Sequence, residues 1–177
     1  DKKVILKIIK LKNRKLSTNI KLNIINELSK LDKISIKTKI KNASINSKEI
    51  KKNDVFFAIK GKNKNGNLFT YEAFKKGASL AVVNFKSKKH KHIRVKDTLN
   101  FLTDASSLLR NNTFSKIIAI TGSCGKTSLK ELLGRTLNKI SRVTYSQKSF
   151  NNKYGVPLSL FNLKKDDEFG VFEVGMD

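Results

Sequence analysis

Apolar positions along the chain fall into segments of two periods. After Ser17-Thr18-Asn19, residues Ile20, Ile24, Ile25, Leu28 and Leu31 recur at three- and four-residue spacing, which predicts an amphipathic helix. Ile34, Ile36, Thr38 and Ile40 alternate with polar residues, as a half-buried strand does. The apolar run 55–59 predicts a buried strand, and the Gly- and Asn-rich stretch 61–67 a loop. Residues 69–76 read as a helix stopped by Gly77. Strands follow at 80–83 and 92–95, separated by a basic loop at 86–91. Asp97 can cap a helix that carries Leu99, Phe101, Leu102, Ala105, Leu108 and Leu109 and ends at Asn111-Asn112-Thr113. Residues 1–17 are apolar and Lys-rich without either period.

The texture changes after a boundary at 112–116. Ile117-Ile118-Ala119-Ile120 is a strand, and a helix through Leu129, Leu132, Leu133 and Leu137 follows a short Gly-containing turn. Val143-Thr144-Tyr145 is a second strand, Gly155-Val156-Pro157 opens a second helix, and residues 171–174 form a third strand. Strand, helix, strand, helix, strand is the order of a parallel sheet with right-handed crossovers. The expected architecture is α/β: an unassigned basic leader (1–17), a small mixed α/β domain (18–113), and the opening of a parallel-sheet nucleotide-binding domain (114–177). A sheet of three parallel strands leaves an edge and apolar faces uncovered.

Composition narrows the function classes. The 177 residues hold one Cys and two His, so a disulfide framework or a Cys/His zinc site is excluded. No apolar run reaches the roughly 18–20 residues of a membrane helix, and Lys interrupts the apolar start, so a soluble cytoplasmic protein without membrane insertion is expected. The net charge is +24, of which residues 1–100 carry +20. That charge raises a nucleic-acid-binding module as an alternative. Only 5 of the 38 basic residues are Arg, the better bidentate reader of phosphate and base edges, so the excess reads mainly as a Lys-rich composition.

Thr121-Gly122-Ser123-Cys124-Gly125-Lys126-Thr127-Ser128 sits between a strand and a helix. That is the context of a phosphate-binding loop. Glycines let successive N–H groups turn toward phosphate oxygens, and the helix N-terminus adds partial positive charge. Lys126 would meet the β- and γ-phosphates of ATP, and the Thr127 hydroxyl would meet Mg²⁺. The general pattern would place its first Gly at position 120, which is Ile120; here it is Gly122. Cys124 is a small filler of the loop.

This shifted loop, T-G-S-x-G-K-T-S, resembles that of the Mur ligase family, which builds the peptide of cell-wall precursors. The stretch 149–160, with Phe150-Asn151-Asn152 and Gly155-Val156-Pro157, resembles the F-N-N-x-x-G-V-P-L-T-L segment of its D-alanyl-D-alanine-adding branch. Phe172-Glu173-Val174-Gly175 resembles that branch's acidic strand end. Asn46-Ser47-Lys48 and Asp54-Val55-Phe56 resemble the N-terminal pattern D-S-R…G-D-[LV]-F, with Asn for Asp and Lys for Arg. Asn65-Gly66-Asn67 stands where the family has D-G-H.

The resemblance implies an ATP-dependent amide-bond ligase of peptidoglycan synthesis. It would join D-alanyl-D-alanine to UDP-N-acetylmuramoyl-tripeptide through an acyl phosphate. Another Mur-type or folylpolyglutamate-type ligase is the neighbouring alternative. The resemblance gives ATP to residues 122–128, with Lys126 catalytic, and Mg²⁺ to Thr127 and Glu173. It gives substrate contacts to Ser47, Lys48, Asn151 and Asn152, and implies a monomer when complete. Set against the family's length, the chain reads as a first domain and part of a second, inactive alone. His90 and His92 read as solvated. No specific nucleic acid is expected: generic DNA or RNA should be held no more tightly than by a lysine-matched control protein in a salt titration.

Overall fold

The computed structural model describes residues 19–29, 39–61, 64–85, 91–146 and 150–175. The leader, the bulk of the alternating segment (34–38), the basic loop with His90 and the last two residues lie outside this set. Helix α1 (Ile20–Ser29) leads to strand β1 (Ala43–Ser44), a 3-10 turn at Ser47–Glu49, and β2 (Val55–Phe57). A second 3-10 turn at Gly66–Phe69 runs into α2 (Thr70–Lys75), followed by β3 (Leu80–Val83), β4 (His92–Arg94) and α3 (Thr98–Asn111). The second half holds β5 (Lys116–Ile120), α4 (Lys126–Leu137), β6 (Val143–Tyr145), α5 (Gly155–Phe161) and β7 (Phe169–Glu173).

Both sheets are parallel throughout. The first runs β1-β2-β3-β4, and the second runs β5-β7-β6, so β7 is central. That order follows from burial. The β7 residues Gly170, Val171, Phe172 and Glu173 are buried, whereas β5, at the edge, keeps Ala119 exposed. Leu129 and Leu132 of α4 are exposed as well, which is the uncovered apolar surface that three parallel strands predict.

Local rules explain the boundaries. Gly77 has φ of +108°, a value that suits glycine, and ends α2. The Asp97 carboxylate accepts the Asn100 N–H at 2.8 Å and starts α3. Residues 58–59 were expected to continue β2. Instead the Ile59 N–H turns back to the Phe57 carbonyl, and Gly66 passes so close that a Cβ there would lie 2.6 Å from the Ile59 oxygen. Lys39 and Ile40, the described end of the alternating segment, lie outside any strand. Strand β1 was not anticipated. It is two residues long, and the Asp54 carboxylate ties its approach to β2 by accepting N–H groups from Asn42 and Lys51. In α4, Gly134 lets the Tyr145 ring lie against the helix: a Cβ would fall 2.7 Å from a ring carbon.

One apolar core joins the halves. Val55, Phe57, Leu80, Val82 and Ile93 of the first sheet pack with Ile24, Ile25, Leu102, Ala105 and Leu109, and with Leu158, Phe161 and Phe172 from the second half. The rings of Phe57 and Phe161 meet edge to face at 5.5 Å. Polar contacts reinforce the join. The Asn162 side-chain amide accepts the Ala43 N–H at 2.7 Å and donates to the Ala43 carbonyl at 3.0 Å, as a neighbouring strand would. The Ser106 hydroxyl donates to the Pro157 carbonyl at 2.7 Å.

Lys21 lies in this join. The residue is 5% exposed, and its ammonium donates to the Lys41 carbonyl at 2.8 Å and sits over the Phe161 ring. Burial lowers its pKa from 10.5 to about 8, against the opposing pull of Asp167 and Asp54. The unfolded chain therefore binds this proton more tightly than the folded one. The penalty of burying the cation is present below pH 8 and is relieved as pH rises from about 8 toward 10.5. Lys21→Met is expected to flatten the rise of melting temperature over that window relative to the unmodified chain, measured by scanning calorimetry at a series of pH values.

Candidate functional site

The parallel pairing of β5 with β7 sets Ile120 opposite Glu173, so the loop after β5 begins beside the carboxylate that ends β7. Sheets of this kind gather ligands at the carboxyl ends of their strands. The loop 121–125 turns on two glycines in left-handed or near-mirror conformations, Gly122 at φ +143° and Gly125 at φ +74°. Gly125 is the N-cap of α4 and supplies no side-chain cap, which leaves the first N–H groups of the helix turned toward the loop. Ser123, Cys124 and Ser128 are exposed along the loop and the first turn.

Lys126 folds back over this loop. Its ammonium donates to the Gly122 carbonyl and, at 3.4 Å, to the Ser123 carbonyl. The cation is thus held by the backbone of the loop itself.

Thr127 and Glu173 meet. The Thr127 hydroxyl donates to Glu173 Oε2 at 2.8 Å. Asn151 Nδ2 donates to the other oxygen, Oε1, also at 2.8 Å. Glu173 is 2% exposed, and its backbone N–H reaches the buried Ser146 hydroxyl at 3.4 Å. Strand end, helix start and the loop after β6 therefore converge on one carboxylate. Ser146 was not singled out by the sequence, since an isolated Ser beyond a short strand carries no pattern.

Asn152 does something different from its neighbour. Its side-chain oxygen accepts the N–H groups of Tyr154 at 3.0 Å and Gly155 at 2.9 Å, which caps α5. The predicted substrate pair is thus split: Asn151 joins the carboxylate and Asn152 serves the helix. Gly155 lets that turn close, because a Cβ there would lie 2.6 Å from the Phe150 backbone.

Ser47 and Lys48 lie in the first half, on the 3-10 turn after β1. The Ser47 hydroxyl is buried and donates to Glu72 at 2.6 Å, while the Lys48 side chain is exposed. Neither is joined to the loop 121–125. The departure Asn46 caps this turn through its side-chain oxygen, and Asn65 caps the next one. Asn67 bridges to Asn84 at 2.6 Å. His92 stacks on Phe85 at 6.4 Å between centroids. Between the halves, a cleft of about 560 Å³ is lined by Asn42 and Ser44 from the β1 side and by Thr144, Ser146, Ser159 and Asn162 from the other.

Thr127 and Glu173 are hard oxygen donors side by side, a set that suits Mg²⁺. Among the described residues no three His, Cys, Asp or Glu cluster, so further donors would have to come from nucleotide phosphate or water. Among the same residues no helix is long and apolar enough to cross a membrane.

The chain is similar to known proteins in both sequence and fold. Residues 120–177 match the Mur ligase middle domain. The UDP-N-acetylmuramoyl-tripeptide–D-alanyl-D-alanine ligase of Rickettsia prowazekii is 38% identical over 135 residues, covering 75% of this chain and 30% of that protein. A crystal structure of MurF from Acinetobacter baumannii superposes with a TM-score of 0.72 at 28% identity, over 86% of this chain and 35% of the other. MurF ligase from Thermotoga maritima in complex with ADP gives 0.62 at 31% identity, over 77% and 32%. The chain thus spans about a third of the length of the relatives it matches.

The close approach at Gly155 has a measurable cost. Gly155→Ala should destabilise the fold by about 2 kcal/mol through overpacking. A thermal melt should show a midpoint lower by roughly 5 °C.

Proposed function

We propose that this chain is part of a Mur ligase and provides the ATP-binding loop and part of the substrate platform of a UDP-N-acetylmuramoyl-tripeptide–D-alanyl-D-alanine ligase. The observation that carries this reading is the junction of Thr127 and Glu173 at the mouth of a glycine loop that holds Lys126. The similarity to D-alanyl-D-alanine ligases, one of them solved with ADP, supports the choice of member and of nucleotide.

The chemistry has a clear requirement. A carboxylate is ionised at neutral pH and is a poor electrophile. Transfer of the γ-phosphoryl group of ATP to that carboxylate makes an acyl phosphate, whose phosphate can leave. The amine of D-alanyl-D-alanine then attacks through a tetrahedral intermediate. Such transfer is catalysed mainly by positioning and by neutralising charge.

The residues divide that work. Loop N–H groups and the start of α4 receive the phosphates. Lys126 exchanges its loop carbonyls for phosphate oxygens. Two unit charges about 4 Å apart interact by about 4 kcal/mol at an effective dielectric near 20, so this cation can offset much of the repulsion between ATP and the acceptor carboxylate. Thr127 and Glu173 would hold Mg²⁺, which when bound neutralises charge on the phosphates. Ser47, Lys48 and the +20 charge of residues 1–100 would serve the uridine-diphosphate end of the acceptor, itself an anion. The reaction belongs in the cytoplasm, where ATP and a nucleotide-linked acceptor are both dissolved.

Lys126→Ala is expected to weaken MgATP binding by about a hundredfold, given the strength of charge-assisted contacts to phosphate. Titration calorimetry measures it, and unchanged affinity would remove the loop from the site. On the natural gene product, ADP release should require both UDP-N-acetylmuramoyl-tripeptide and D-alanyl-D-alanine. Release driven by diaminopimelate or glutamate instead would assign another member.

A further inference from the structure

Asn151 makes no contact that would single it out as a substrate ligand. Its side chain is directed at Glu173 Oε1, 2.8 Å away, on the oxygen that Thr127 leaves free. Its backbone is tied down independently. The Asn151 carbonyl accepts the Gly175 N–H at 2.6 Å, and a Cβ on Gly175 would approach that oxygen to 2.9 Å. The segment after β6 is therefore fastened to the end of β7 at two places, by Ser146 on the Glu173 N–H and by Asn151 on both Glu173 and Gly175.

A glutamate has three rotatable side-chain bonds, the last of which turns the carboxylate oxygens over a broad range. Here each oxygen receives one hydrogen bond, from a different element. One donor, Thr127, has a lone pair to offer a cation while its hydrogen stays on Glu173. The other, Asn151, offers the carboxylate only N–H, so it can orient but not ligate through that atom. We propose that Asn151 is a positioning residue: it fixes the rotation of the Glu173 carboxylate so that Oε2 and the Thr127 hydroxyl face one divalent cation. This rests on the reading of the loop as an ATP site, and it assigns Asn151 to the metal rather than to the acceptor.

The test is a double-mutant cycle on the whole chain, with ATP affinity measured by calorimetry in Mg²⁺ and again in EDTA. Asn151→Ala should lower affinity in Mg²⁺ by about tenfold, the scale of a hydrogen bond to a charged group. In EDTA it should leave affinity within about twofold, a margin set by the additivity error of such cycles. In a Glu173→Gln background Asn151→Ala should add no further loss, because its effect passes through that carboxylate. Melting temperatures are taken first, and Asn151→Leu, close in size but without the donor, replaces Asn151→Ala if the smaller side chain unfolds the chain. Equal losses in Mg²⁺ and EDTA, or additive losses in the double variant, would overturn the proposal by placing Asn151 on the nucleotide itself. No loss in either condition would overturn it too. If the unmodified chain bound ATP in neither condition, the phosphate-loop reading would fall and this assignment with it.

Discussion

The site depends on one pairing: β5 beside β7, parallel, with Ile120 level with Glu173. Parallel strands end on the same edge of their sheet, so whatever follows one strand lies next to whatever ends its neighbour. The glycine loop follows β5 and the carboxylate ends β7. A slip by one residue would turn Glu173 to the opposite face of the sheet and leave Thr127 without its partner. The burial of β7 between two other strands makes that slip costly, because Val171 and Phe172 would exchange faces with it. The approach of Thr127 to Glu173 is therefore a by-product of core packing.

The same economy joins the two halves. Asn162, just past α5, uses its side-chain amide as one residue of an extra strand and satisfies both backbone groups of Ala43. Around that contact the apolar core runs without a break from the first sheet to Phe161 and Phe172. Interfaces between domains in one chain are commonly more polar and looser than this. The 3-10 turn with Ser47 and Lys48 in the first half and the glycine loop of the second are thus carried on elements joined by buried contacts. The cation of Lys21 is placed inside that join at an electrostatic cost.

Much of this was legible in the sequence for physical reasons that can be named. Long periodic segments, such as α3 with its Asp97 cap, and short apolar runs, such as β3, announce themselves through burial. The glycine loop between β5 and α4 stood out because phosphate binding would demand particular residues at fixed spacing. Thr127 and Glu173 were linked beforehand only through the metal that the family resemblance gives them both, and the contact of Asn151 with that carboxylate was not foreseen. Asn151 and Asn152 are chemically identical and adjacent, and only the turn between them decides that one side chain faces a carboxylate and the other a helix end. Strand β1 was hidden for a different reason. Two residues carry no period, and its existence rests on partners more than ten residues away, Asp54 and Asn162.

Gly134 shows how far a small packing detail can reach. The missing side chain lets α4 settle onto the Tyr145 ring at the end of the helix remote from the loop. Seven residues of helix, roughly 10 Å at 1.5 Å per residue, separate that contact from Thr127. A helix lies on its sheet as a rigid rod, so a lift at one of its supports is felt at its tip. The thickness of one aromatic ring thereby acts as a shim. It sets the tilt of the helix, and so the gap between a hydroxyl and a carboxylate that never touch the ring.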